Sequence, residues 1–389
     1  MNMQSFQGPL SDLWKIQSED SIQRLTWQWW WWLVMLDAEE VEGGRQLMVL
    51  WSTKDTKHID VNGMAWQSQG RPRQEGGICV LSGMVAAWWW DGEKMLEPLR
   101  LQDCRMAIVG SNNGATKEKN SCSGAVIPLT DEDLSMGLDA ENNRFWLNMK
   151  NTEIEGPQSF EVEMIPWHPA VSTLRSASKE YGKGMGYSIN RLHGCKAKAM
   201  IDGNMHEGTA YLQRVKVQAP AVPWYWGMLH FSDGTYLDWF LPHVSMSMSS
   251  RTDRPWPLRH LAHIPLSQGG IWHDKERGRS ERFNECKVRL LPSSSTEGEG
   301  GHSPHAPLPC FEVELNNGRT RIRLRARAVS RAHFRFDQPT RGGMVSHLTY
   351  NEYPLKVEKL IVEDEIGLRE LKNWDWVMGN GEHSWGLLH

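Results

Sequence analysis

Residues 223–244, PWYWGMLHFSDGTYLDWFLPHV, decide the fold: two apolar runs flank an Asp233-Gly234 pair. An Asp-Gly pair supplies the positive φ angles of a two-residue hairpin turn. Turning there pairs Trp224 with His243, Trp226 with Leu241, Met228 with Trp239 and His230 with Leu237. Because side chains alternate along a strand, all eight share one face. The other face carries Tyr225, Leu229, Phe231, Tyr236, Asp238 and Phe240. Neither face is polar, so both are covered. A sheet packed on one side and lining an interior on the other is a barrel with a lumen. The Trp-rich face, with its indole N–H groups and two His, is expected to line that lumen.

The same signals recur along the chain. Further Asx-Gly pairs stand at Asn62-Gly63, Asp91-Gly92, Asn113-Gly114, Asp202-Gly203, Asn317-Gly318 and Asn380-Gly381, several between runs of period-two alternation. Helical periodicity is nearly absent, and residues 172–181 are the best candidate for a helix. This predicts a mainly antiparallel all-β protein. In FEVELNNGRTRIRLRARA (residues 311–328), a turn at Asn317-Gly318 sets Glu314 opposite Arg321 and Glu312 opposite Arg323. The arginine row at 321, 323, 325 and 327 therefore reads as a solvated sheet face with cross-strand ion pairs, not a phosphate-binding stripe. Pro, Ser and Gly between residues 165 and 186 predict a linker, with a boundary near 180 that separates domains 1–180 and 181–389. Low complexity predicts a mobile loop near 293–309.

Composition narrows the function. The 389 residues include 21 Trp against 9 Phe and 7 Tyr, with 40% hydrophobic and 23% charged residues, which is globular and ordered. A net charge of −4 argues against general nucleic-acid binding. The most apolar run, residues 27–36, is half the length of about 20 residues that a spanning helix needs. No secretory signal opens the chain, and the six Cys are scattered, so a cytoplasmic protein with reduced thiols is expected.

Residues 187–241 carry a family pattern in Tyr187, Ser188, Arg191, Leu192, Asp202, Gly203, Gly208, Ala210, Tyr211, Trp224, Trp226, Asp233 and Gly234. This segment resembles the AttH-like and carotenoid 1,2-hydratase (hydroxyneurosporene synthase) family. The hairpin of residues 27–32 and 45–53 and the segment YNEYPLKVEKL look like that family's first Trp-rich hairpin and its closing segment. The resemblance implies two tandem lipocalin-like antiparallel β-barrels and a hydrophobic isoprenoid or polyene substrate. The reaction it implies is cofactor-independent hydration, cyclisation or isomerisation, assisted by an acid. Such chemistry needs a proton donor, a dry pocket and a stabiliser for a developing cation, and indole faces attract cations. One departure bears on mechanism. Where the family commonly carries an acid, this chain has Gln213, followed by Arg214. Glutamine cannot protonate an alkene, so the acid must come from elsewhere, such as Glu207, Asp238 or Glu352, or the family's reaction is not catalysed here.

Two classes of function follow. In the first, Tyr211, Gln213, Trp224, Trp226, Trp239 and His243 bind the ligand while Glu207, Arg214, His230 and Asp238 polarise or protonate it. In the second, the protein is a non-catalytic carrier of a lipid or isoprenoid. Neither needs a cofactor or a metal: His260 and His263 form H-x-x-H without a nearby carboxylate in register. The expected partner is a hydrophobic small molecule, with peripheral membrane contact as one route for its delivery. Oligomeric state is left open by the sequence.

Overall fold

A computed structural model describes residues 8–14, 26–54, 58–67, 73–75, 78–109, 122–126, 134–139, 142–151, 155–168, 170–176, 186–218, 222–245, 256–257, 263–292, 299–300, 306–339 and 345–388. Among these the secondary structure is antiparallel strand, apart from short 3-10 turns at Leu10–Trp14 and Leu371–Asn373. No helix of the described residues is long and apolar enough to cross a membrane. The fold is all-β, built on two large antiparallel sheets.

The first sheet closes into a ring. From Gly186–Ile201 it runs through Ser159–Pro166, Arg144–Lys150, Leu134–Asp139, Cys122–Val126, Met95–Val109, Ile78–Trp90, Arg45–Lys54 and Thr26–Leu36 to Asn204–Gln218. Asn204–Gln218 then pairs back along the length of Gly186–Ile201. Those two strands belong to the first sheet, so the expected boundary near residue 180 falls inside it. The segment read as a helix is instead the strand Ala170–Ser176, paired with residues 187–191; the rest of that stretch lies outside the described residues. Its β-branched residues Val171 and Thr173 suit a pleated surface better than a helix.

The second sheet runs in the order Arg279–Phe283, Gly269–Asp274, Tyr236–Ser245, Trp224–Phe231, Val377–Leu388, Val345–Asp364, Arg321–Ala328, Pro309–Asn316 and Glu285–Pro292. Its two edge strands are consecutive in the chain, joined through Asn284, so it curls without a closing ladder between them. Ala332–Pro339 branches off and carries the small hairpin His58–Val61 and Met64–Gln67 from the first half of the chain.

Three apolar cores result. One fills the first barrel, one fills the second, and the third lies between them. The Trp-rich strand Thr26–Leu36 explains itself on this plan, because it separates two cores. Trp30, Trp32, Val34 and Leu36 point into the first barrel, while Trp31, Leu33 and Met35 point outward against the second sheet. A strand buried on both faces reads as a continuous apolar run.

The Asx-Gly pairs do not all behave alike. Asn62-Gly63 and Asp202-Gly203 have both residues at positive φ and close two-residue turns. Asn380-Gly381 is no turn at all; it lies within Val377–Leu388, where the Asn380 amide donates to Gln46 Oε1 of the first barrel at 3.0 Å. The arginine row is exposed and ion-paired: Arg321 to Glu314 at 2.8 Å, Arg325 to Glu358 at 3.2 Å and Arg327 to Glu358 at 3.4 Å. The ladder there is shifted by two residues from the expected one, with Glu314 opposite Arg323, which leaves the faces unchanged. The expected loop of residues 293–309 lies mostly outside the described residues, and so does His260.

Candidate functional site: the seam between the barrels

At Asp233-Gly234 only Gly234 takes a positive φ, +83°, and Phe231 closes onto Thr235 across a three-residue loop. That one extra residue shifts the register: Trp224 faces Pro242, Trp226 faces Phe240, Gly227 faces Trp239 and Met228 faces Asp238. A slip of one residue moves every side chain of a strand to the other face. Trp239 and His243 therefore leave the Trp224–Trp226 face, and Tyr236, Asp238 and Phe240 join it. Trp239 lies in the core of the second barrel, where its ring covers Gly227 so closely that a Cβ there would come within 2.1 Å of it. The Trp224–Trp226 face is not a lumen. It is the outer face of the second sheet and packs on the outer face of the first barrel.

Aromatic rings join the two sides. Trp226 meets Trp31 edge-on with centroids 5.3 Å apart, and Tyr211 lies 5.4 Å from Trp226. The Tyr211 hydroxyl donates to Gln213 Oε1 at 3.2 Å. The indole N–H groups of Trp31 and Trp226 are buried and have no hydrogen-bond partner. Buried polar atoms are seldom left so.

Beside these rings lie the charged groups. Asp238 is buried; its Oδ2 receives Arg191 Nη1 at 3.0 Å and its Oδ1 receives the Ile271 N–H at 3.0 Å. His193 Nδ1 stands 3.3 Å from the same Oδ2. Burial pushes the Asp238 pKa up, but the Arg191 guanidinium and the hydrogen bonds prevail and hold it below the usual range. Asp238 is thus an ionised group, not a proton donor.

A buried carboxyl pair that sequence motifs did not assemble lies in the same seam. Glu352 and Glu382 are cross-strand partners, and Glu382 is also the partner of Trp226. Both are buried, and the Trp224 indole N–H donates to Glu382 Oε1 at 2.7 Å. Burial pushes both carboxyls well above the ordinary carboxylate range, and the negative charge of Glu382 raises Glu352 further. Like charges sharing one site cannot both ionise cheaply, so the pair retains a proton near neutral pH. The charges of Arg191, Asp238, Glu382 and Glu352 all bear on the Tyr211 phenol, which brings groups of both barrels into one site. Burial raises that phenol as well, so Tyr211 stays a neutral hydroxyl.

Other expected site residues lie elsewhere. Glu207 is exposed and pairs with Lys198 at 3.3 Å. Arg214 donates to Gln28 at 3.1 Å and covers the Trp30 ring, on the side of the first barrel's core. His230 sits in the seam but has both nitrogens occupied. Its Nε2–H donates to the His193 carbonyl at 2.7 Å, so its Nδ1 accepts from the Thr209 hydroxyl at 2.8 Å. Burial takes its pKa down to about 3, and it serves as a neutral clamp between the barrels. Of the three acids proposed to replace the one missing at position 213, Glu352 alone is both buried and raised. Glu382 was hidden in GNGEHSWG, which reads as a Gly-rich turn into a last strand.

No protein-family profile matches the chain, and neither does any curated protein. Among solved structures, the chain is similar to a putative AttH from Nitrosomonas europaea, with 11% identity over 92% of each chain and a TM-score of 0.44. It is also similar to kievitone hydratase from Nectria haematococca, with 8% identity, 97% of this chain and 95% of that one covered, and a TM-score of 0.38.

Proposed function

We propose that this protein adds water to, or isomerises, a carbon–carbon double bond of a small hydrophobic molecule held between its barrels, with the Glu352–Glu382 pair as general acid. The observation that carries this reading is a pair of buried, upshifted carboxyls set among indoles. A carboxyl poised near neutral pH is suited to giving a proton in the transition state. On protonation of one alkene carbon, positive charge develops on the other. The indole faces of Trp31, Trp224 and Trp226 and the ionised Asp238 stabilise that charge. Water then bonds to the cationic carbon, and its surplus proton returns to the carboxylate pair, which restores the acid. Loss of a neighbouring C–H proton to the same carboxylate gives isomerisation instead. Tyr211 and Gln213 orient the ligand or the water. An isoprenoid or polyene is the substrate class suggested by the resemblance of residues 187–241, and a cytoplasmic setting belongs to the same proposal.

Solvent isotope labelling tests this. Purified protein incubated with isoprenoid alkenes in deuterated water is expected to place deuterium in the product, and the E352Q/E382Q double variant is expected not to. Ligand that binds and is recovered with unchanged mass would overturn the enzyme reading and leave a carrier.

A further inference from the structure

The core of the first barrel carries polar groups that the chemistry of the seam does not use. Trp30 and Trp32 point inward from Thr26–Leu36, and Trp51, the cross-strand partner of Trp30, points inward from Arg45–Lys54. Trp14 joins them from the turn Leu10–Trp14. Trp30 donates its indole N–H to the Leu13 carbonyl at 2.7 Å, which seats that turn beside the other indoles. The indole N–H groups of Trp14, Trp32 and Trp51 are buried without a hydrogen-bond partner. We propose that the interior of the first barrel is a second binding site, for a small apolar ketone whose carbonyl oxygen these indoles grip. The site is distinct from the carboxyl pair in the seam, because the strand Thr26–Leu36 stands between the two.

Hydrogen-bond chemistry decides the ligand class. An indole N–H donates and never accepts, so its complement is an acceptor. Burying such donors unanswered is unfavourable. Trp30 shows the acceptor that this core already uses, a carbonyl oxygen. A trapped water suits the site less well, since it must also place its own two protons, and the side chains packed here are aliphatic, aromatic or sulfur-bearing. A carbonyl oxygen has two lone pairs and no proton to place, so it can answer two indoles at once. Space follows from the strand count. The closed ring has ten strands, from Gly186–Ile201 round to Asn204–Gln218. Eight strands give an interior that side chains just fill or that holds one small ligand, and ten give about a quarter more width. Part of the wall is small as well, because Cys195, Ala197, Ala199 and Ala210 all face inward.

Benzophenone tests this on the full chain, because it is an apolar ketone that attaches to nearby side chains, methionines foremost, under ultraviolet light. Diphenylmethane has the same skeleton without the oxygen. Label is expected on Met106, Met136, Met149 or Met164, which face the first barrel's core, and is expected to persist in E352Q/E382Q. Calorimetric titration is expected to show benzophenone binding about tenfold or more tightly than diphenylmethane, the worth of hydrogen bonds from two indoles. The variant Trp51→Phe keeps a ring in the core but removes one donor. It is expected to weaken benzophenone about fivefold and to leave diphenylmethane unchanged. Label confined to Met35, Met48 and Met228 of the core between the barrels, or no label at all, would overturn the proposal. So would equal affinity for the two molecules, or equal weakening of both by Trp51→Phe. If Trp51→Phe fails to fold, the label positions and the affinity ratio of the unaltered chain still decide.

Discussion

Glu352 and Glu382 face each other directly across neighbouring antiparallel strands, both buried where the two barrels meet. Opposed like charges weaken a sheet, and a buried pair weakens it more. The fold accommodates them because they titrate late, and that lateness makes them useful as an acid. Several consequences are measurable.

Stability should fall as the pH rises toward the alkaline side. An unfolded glutamate ionises near about pH 4.3, whereas burial keeps both carboxyls protonated well above that in the folded chain. Their stabilising contribution is complete below the unfolded value and is lost as the pH rises through the folded values. Thermal unfolding across that range should show this decline in the unaltered protein and a flatter profile in E352Q/E382Q.

His230 should produce the opposite slope. Its folded pKa of about 3 lies below that of a free imidazole, so its contribution is present above about pH 6.5 and is lost as the pH falls. His230→Phe should remove that part of the acid sensitivity. It should also cost about 1–3 kcal/mol at neutral pH by stranding the Thr209 hydroxyl and the His193 carbonyl. Denaturant titration at two pH values separates the two effects.

Arg191→Met should destabilise by about 3–5 kcal/mol, because it leaves the Asp238 carboxylate buried without its cation. Adding Asp238→Asn to that variant should recover part of the loss, and a double-mutant cycle measures how much.

Trp226→Ala should cost about 3–5 kcal/mol, since the ring is packed between Trp31 and Tyr211 and its loss opens a cavity. Gly227→Ala should cost about 1–3 kcal/mol through its collision with the Trp239 ring. Trp226→Ala alone should also impair ligand binding, because Trp239 faces the other core.

The all-β class was legible in the alternation around residues 224–244 and 311–328, and the arginine row was legible from the glutamates near it. Faces were less legible. Asp233-Gly234 reads as a two-residue turn, yet the chain spends three residues there, and the single added residue carried Trp239 and His243 inside while bringing Asp238 beside Trp226. The apolar second face of residues 223–244 signalled a cover, but whether a lumen or another barrel supplied it depended on packing between distant segments. Glu382 was illegible for the same reason. Its meaning comes from strand pairing with Glu352 and Trp226, and Trp226 lies far away in the sequence.

The central claim is that a buried carboxyl of the Glu352–Glu382 pair holds a proton at neutral pH, and carboxyl infrared difference spectroscopy reads this directly without a substrate. Comparing the unaltered protein with E352Q and E382Q at pH near 7, the account predicts a protonated-carboxyl band in the unaltered chain. That band should diminish in each single variant and vanish in E352Q/E382Q, because burial raises each carboxyl on its own and Glu382 only adds to the rise of Glu352. A spectrum with only ionised carboxylates at neutral pH, or a protonated band untouched by both substitutions, would contradict it.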